Sequence, residues 1–89
     1  MKERKRILDR LDLMDEPSPR QPLVELYGER RVIIENHSGV TEYGRERVRV
    51  RAMFGSILIC GSGLMLCRMR GQQLVITGSI SAVMLDRGE

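Results

Sequence analysis

The chain's only histidine lies in the stretch IIENHSGVTEY, Ile33 to Tyr43, where its neighbours could support chemistry. Asn36 and Ser38 flank His37 with an amide and a hydroxyl, and Glu35 adds a carboxylate. An imidazole can act as a general acid or base, or bind a metal ion. Catalysis needs a second group that orients the ring, and a metal site needs further ligands. Because Asn, Ser and Gly are typical turn residues, this stretch predicts a strand connection with His37 at its corner.

No other group of residues has the spacing of a catalytic, cofactor or metal site. Gly61–Gly63 precedes a strand pattern rather than a helix, so it cannot offer a phosphate a helix N-terminus. Cys60 and Cys67 form no CxxC pair and lie within apolar runs, which predicts buried thiols in a reducing cytoplasm rather than a disulfide. The sequence predicts neither catalytic residues nor cofactors, and therefore a protein that is not an enzyme.

The basic residues are clustered, although the net charge is only +3. The two clusters are Lys2, Arg4, Lys5 and Arg6 at the beginning and Arg45, Arg47, Arg49 and Arg51 in the middle. Guanidinium groups along one strand could contact phosphates of a nucleic acid or of an anionic membrane surface. Nucleic-acid-binding sheets interleave aromatic residues for base stacking, and none is interleaved here. A solvated strand paired with Glu-bearing neighbours is therefore favoured, and anionic binding is the alternative.

The first 22 residues differ in pattern from the remainder. Ile7, Leu8, Leu11 and Met14 recur at helical spacing, which predicts a short amphipathic helix over residues 1–14. Three prolines then predict an extended linker over residues 15–22. From residue 23 to 86 the apolar period changes to two, with glycines between the runs, which predicts one small all-β domain.

The period-two region predicts about eight short strands. They are Leu23–Tyr27, Arg31–Glu35, Val40–Tyr43, Arg47–Ala52, Ser56–Cys60, Leu64–Met69, Leu74–Thr77 and Ile80–Leu85. The segments between them are short enough for hairpins, so the sheet should be largely antiparallel, as a meander or sandwich. An internal repeat leaves a short β-solenoid as an alternative, because ILICGS recurs as LVITGS and Gly44, Gly61 and Gly78 are evenly spaced.

The apolar residues of the C-terminal half predict an interface. In Ser56–Cys67 both strand faces are apolar, which requires cover from a second layer or another chain. A final apolar strand risks leaving an unpaired sheet edge, which invites pairing with another chain. A homo-oligomer or a docked partner is therefore expected at Ile80, Ala82, Val83, Met84 and Leu85. No apolar run is long enough to span a membrane, which predicts a soluble cytoplasmic protein.

Four segments, PLVELYG, RVIIENHSGVTEY, RVRVRAMFGSILICGSGLMLCRM and LVITGSISAVML, together resemble the YabP/YqfC family of sporulation proteins. The element IENH followed by Gly39 makes the chain more similar to the YqfC branch. The resemblance covers about Pro22 to Leu85. The paired cysteines and the Arg-rich strand are not features of the family pattern.

The resemblance implies a function that the residues alone do not give. It implies a non-enzymatic role in building the spore envelope of a spore-forming bacterium. It also implies a membrane-embedded sporulation protein as partner, and a cytoplasmic location peripheral to the forespore membrane.

Overall fold

The computed structural model describes residues 21–88, which form one six-stranded sheet and no helix. The strands are β1 (Leu23–Tyr27), β2 (Arg31–Glu35), β3 (Val40–Tyr43), β4 (Arg47–Ala52), β5 (Gly55–Arg70) and β6 (Gln73–Asp86). The predicted N-terminal helix and most of the predicted linker lie outside the described residues.

The strand order in the sheet is β1-β2-β6-β5-β4-β3, and every neighbouring pair is antiparallel, as predicted. Strands β3 to β6 form a meander, and the β1–β2 hairpin joins it by pairing β2 with β6. The connection from β2 to β3 therefore joins strands from opposite sides of the sheet. The prediction of a hairpin at this connection, residues 36–39, was wrong. The alternative of a β-solenoid was also wrong, because stacked solenoid coils would pair in parallel.

The prediction of eight strands was wrong because two pairs of them are continuous. Ser56–Cys60 and Leu64–Met69 are the two halves of β5, and Leu74–Thr77 and Ile80–Leu85 are the two halves of β6. The register between β5 and β6 shifts at three places, between Cys60 and Gly61, between Ser62 and Met65, and between Leu66 and Arg68. Such bulges bend a strand without ending it, so the glycines mark bends and not turns.

Glycine is required where the bent strands approach each other closely. A Cβ added at Gly61 would lie 2.0 Å from the Ser79 carbonyl oxygen, and one at Gly78 would lie 2.7 Å from the Gly63 carbonyl oxygen. The two bends are also hydrogen bonded to tight turns. The Gly61 amide donates to the Glu46 carbonyl in the β3–β4 turn, and the Gly78 amide donates to the Arg30 carbonyl in the β1–β2 turn.

The bends allow a single sheet to enclose a core. Strand β4 pairs with the first half of β5, and β2 pairs with the first half of β6, so these strands flank opposite ends of the β5–β6 hairpin. The buried side chains of both ends nevertheless form one cluster, so the sheet must fold over on itself. The cluster contains Val32, Ile34, Val48, Val50, Ala52, Ile57, Ile59, Leu64, Leu74 and Ile76. Each fully buried aliphatic side chain contributes roughly 1.5–3 kcal/mol to stability.

Candidate interaction surfaces

His37 is a buried corner of the β2–β3 crossover. Its side chain is 6 % exposed, and its Nδ1 accepts a hydrogen bond of 2.9 Å from the Gly39 amide. Asn36 has a φ of 65° and Gly39 a φ of 131°, as expected for a connection built from Asn and Gly. The His37 amide donates to the Gln72 carbonyl in the β5–β6 turn, so the crossover is attached to the end of that hairpin. These contacts place His37 at a corner, as predicted, but in a crossover and not in a hairpin turn.

Within the described residues, His37 forms no hydrogen bond or ion pair with a carboxylate. Burial lowers the pKa of His37 below its usual value, which favours the neutral ring. Among residues 21–88, Nε2 has no hydrogen-bond partner, and no group of three His, Cys, Asp or Glu residues could hold a metal ion. The ring packs at a corner, where the Gly39 amide is its hydrogen-bond partner.

The Arg-rich strand is β4, whose arginines point away from the core. Arg47 and Arg49 lie 3.7 Å and 3.5 Å from the carboxylate of Glu42 on β3. Arg49 also contacts Asp86 at 2.9 Å, at the end of β6. These contacts raise the pKa of Arg49, principally through the hydrogen bond to Asp86. Two guanidinium groups of the strand are therefore already paired with carboxylates.

The other two arginines of the predicted anionic contact, Arg45 and Arg51, form no ion pair within the described residues. Arg51 is exposed and has no ion-pair partner in the part of the chain that the structure describes. Arg45 is exposed in the β3–β4 turn, where its carbonyl accepts a hydrogen bond from the Leu64 amide. The predicted cluster is thus divided between a turn and a strand whose charges are partly neutralised.

The predicted interface, Ile80–Leu85, forms the second half of β6. The first half of β6 pairs with both β2 and β5. The Ile80 amide still donates to the Glu29 carbonyl, but beyond Ile80 the strand pairs only with β5 among the described residues. The free sheet edge therefore covers residues 81–86 and not the whole strand. Half of the backbone groups along such an edge point away from the paired strand.

A groove of about 270 Å³ lies beside this edge. It is lined by Leu26 and Gly28 of the β1 end, by Glu29, and by Ile80, Ser81, Ala82 and Val83 of β6. Ile80 and Val83 pack against the core, although they are three residues apart, because Ser81 is the extra residue of a bulge. Met84 and Leu85 continue the edge and are exposed. Four of the five predicted residues thus lie along unpaired backbone, with Val83 and Leu85 on one face and Ala82 and Met84 on the other.

The two cysteines are free thiols, as predicted, but they are not both buried. Cys60 is half-buried, and Cys67 is exposed with its Sγ 2.9 Å from the Thr77 hydroxyl. Cys67 is exposed because the bulge at Leu66–Arg68 turns it outwards.

The part of the chain that the structure describes contains no helix with the length and hydropathy of a membrane span.

Comparison with known proteins identifies a family. The model of the YabP family matches residues 19–89, which include the whole sheet. No curated protein and no solved structure matches the chain significantly.

Proposed function

Because this chain belongs to the YabP family, we propose that it is a non-enzymatic interaction module of the sporulating cell. It acts in building the spore envelope and binds a partner through the free edge of β6. Its similarity in IENH and Gly39 supports assignment to the YqfC branch, and the resemblance suggests a membrane-embedded sporulation protein as the partner. It would then lie in the cytoplasm, peripheral to the forespore membrane.

The observation that supports this proposal is the combination of free backbone and apolar side chains at residues 81–86. Strand addition uses main-chain hydrogen bonds for affinity and pockets beside the edge for specificity. The edge offers unpaired backbone, and the groove at Leu26, Ile80 and Val83 offers an apolar pocket. We propose that the partner contributes an extended segment with alternating apolar side chains, one of which enters this groove.

An anionic surface is the weaker candidate. It would require free guanidinium groups on β4, whereas Arg47 and Arg49 contact Glu42 and Asp86. Exposed ion pairs of this kind are weak, but a phosphate would have to compete with carboxylates that are already in place.

The proposal is tested in the native host. Deletion of the gene should lower the yield of heat-resistant spores, and wild-type protein should capture its partner from detergent-solubilised membranes of sporulating cells. Leu85→Glu changes a side chain that is 66 % exposed, so it should abolish capture while the domain stays folded. Met53→Glu, at a 59 % exposed position in the β4–β5 turn, is the matched control and should leave capture intact.

Two results would contradict the proposal. Normal heat-resistant spores from a clean deletion strain would exclude the role in sporulation. Equal capture by the Leu85→Glu variant and wild type would exclude the β6 edge as the binding site.

A further inference from the structure

A second outward surface, on the half of the sheet that contains β1 and β2, has a regular arrangement of charge. It consists of three cross-strand rows, each with one residue from β1, β2, β6 and β5 in that order. The rows are Leu23, Glu35, Gln73 and Arg70; then Glu25, Ile33, Val75 and Arg68; then Tyr27, Arg31, Thr77 and Met65. We call this surface the Ile33 face.

The middle row of the Ile33 face is acidic at one end, basic at the other and apolar between them, whereas the outer rows place Glu35 and Arg31 on β2. In the middle row Glu25 lies at the β1 end and Arg68 at the β5 end, with Ile33 and Val75 between them. Within residues 21–88, no carboxylate or guanidinium of the face has an ion-pair partner, unlike Arg47 and Arg49 on β4. The ends of the third row, Tyr27 and Met65, are 50 % and 58 % exposed.

This arrangement is complementary to itself. From the row order we infer that a second copy of this chain docks on the Ile33 face, about a two-fold axis parallel to the strands between β2 and β6. That axis places Glu25 against Arg68 of the partner subunit and Ile33 against Val75 of the partner subunit, and it does so twice. Tyr27 then faces Met65 of the partner subunit, which is a favourable sulfur–aromatic pair.

The charges also select this axis over the alternative. A two-fold axis perpendicular to the strands would bring Glu25 against its own copy and Arg68 against its own copy, and it would place Glu35 against Arg31 of the partner subunit twice. Its opposite-charge contacts are therefore offset by like-charge contacts, whereas the first axis creates no like-charge contact. Like charges placed together across an interface are costly, so this second arrangement is disfavoured. The face measures roughly 20 by 20 Å from strand and residue spacings, which places it among weak, concentration-dependent interfaces.

Charge exchange tests the docking directly. Sedimentation of the full chain over a range of concentrations should show a monomer–dimer equilibrium for the wild type. Glu25→Arg and Arg68→Glu should each weaken the dimer by at least about tenfold, because each creates two like-charge contacts. An equimolar mixture of these two variants should form a heterodimer, since both opposite-charge contacts are then restored. The Glu25→Arg/Arg68→Glu double variant should dimerise as the wild type does.

Glu46→Arg and Arg45→Glu in the exposed β3–β4 turn carry the same charge changes and should not affect the dimer. Thermal melting of each variant verifies folding. A wild type that stays monomeric at all concentrations would overturn the inference, as would swaps without effect or a mixture that does not associate. The result is separable from the proposed function, because Leu85→Glu should dimerise normally and Glu25→Arg should still capture the membrane partner.

Discussion

The guanidinium of Arg49 on β4 donates a hydrogen bond of 2.9 Å to the carboxylate of Asp86, the last residue of β6. The same carboxylate accepts a hydrogen bond of 2.9 Å from the Gly88 amide. The Arg49 contact joins β4 to the end of β6 across β5, and the Gly88 contact is local to residues 86–88.

The Asp86 contacts predict a loss of stability in acid. The Gly88 amide and then Arg49 lower the pKa of Asp86 below its usual value. A carboxylate whose folded pKa is depressed stabilises the fold above its unfolded pKa, and this contribution is lost as the pH falls through the folded value. Asp86→Asn should therefore lower the urea midpoint near neutral pH, and the difference from wild type should shrink below about pH 4. A constant difference at every pH would contradict this assignment.

His37 predicts a second pH dependence at a higher pH. Its folded pKa is lowered by burial, so the unfolded state binds more protons as the pH falls below about 6.5, and stability decreases. In His37→Asn the amide oxygen can accept the Gly39 hydrogen bond, and no titrating ring remains. We expect this variant to retain sporulation function and to lose the pH dependence between about pH 5 and 7. Loss of function in a folded variant would show that the ring does more than close a corner.

Gly61 predicts a large steric effect at the bend of β5. An alanine Cβ would lie 2.0 Å from the Ser79 carbonyl oxygen, and the other close atoms are also backbone of β6, which cannot rotate away as a side chain can. Gly61→Ala should therefore cost at least about 3 kcal/mol of unfolding free energy, among the larger single-residue effects. Gly63→Ala is the control: its Cβ meets nothing within 4 Å, and only a φ of +59° opposes it. That left-handed conformation costs about 1–2 kcal/mol, so the urea midpoints should rank wild type, Gly63→Ala, Gly61→Ala.

The carboxylate contacts of β4 predict weak binding to polyanions. Wild-type protein should elute from heparin at low salt, and Arg47→Ala/Arg49→Ala/Arg51→Ala should change that elution little. Glu42→Gln removes the partner of Arg47 and one partner of Arg49, so it should increase retention. Strong, salt-sensitive retention that disappears in the triple variant would instead support the anionic-surface alternative.

Local patterns in the sequence were sufficient for the type of structure. The period of two in Arg47–Ala52 predicted a strand with Val48 and Val50 inside, and both are fully buried. Short connections predicted antiparallel pairing, which all five strand pairs show. These features depend on residues close together in the chain, so the sequence determines them directly.

The length of β5 and β6 was decided only by tertiary structure. Glycines such as Gly61 and Gly78 are typical of turns, but here their amides donate hydrogen bonds to carbonyls of the β3–β4 and β1–β2 turns, and both lie at bends within continuous strands. The bulge at Ser81 also changes which side chains face the core. Ile80 and Val83 both pack against the core, whereas strict alternation along the strand would place them on opposite faces. A local pattern cannot specify a bulge, because the extra residue exists only relative to the strand opposite.

For the candidate surfaces, too, the sequence determined one part and the tertiary structure another. The apolar residues of Ile80–Leu85 were visible in the sequence, whereas the free edge begins only where β2 ends its pairing with β6. Glu25 and Arg68 are far apart in the chain, and nothing in their local sequence relates them. They share a row because β2 and β6 lie between β1 and β5 in the sheet. That strand order depends on the crossover at His37, and only the tertiary structure decides which strands the crossover connects.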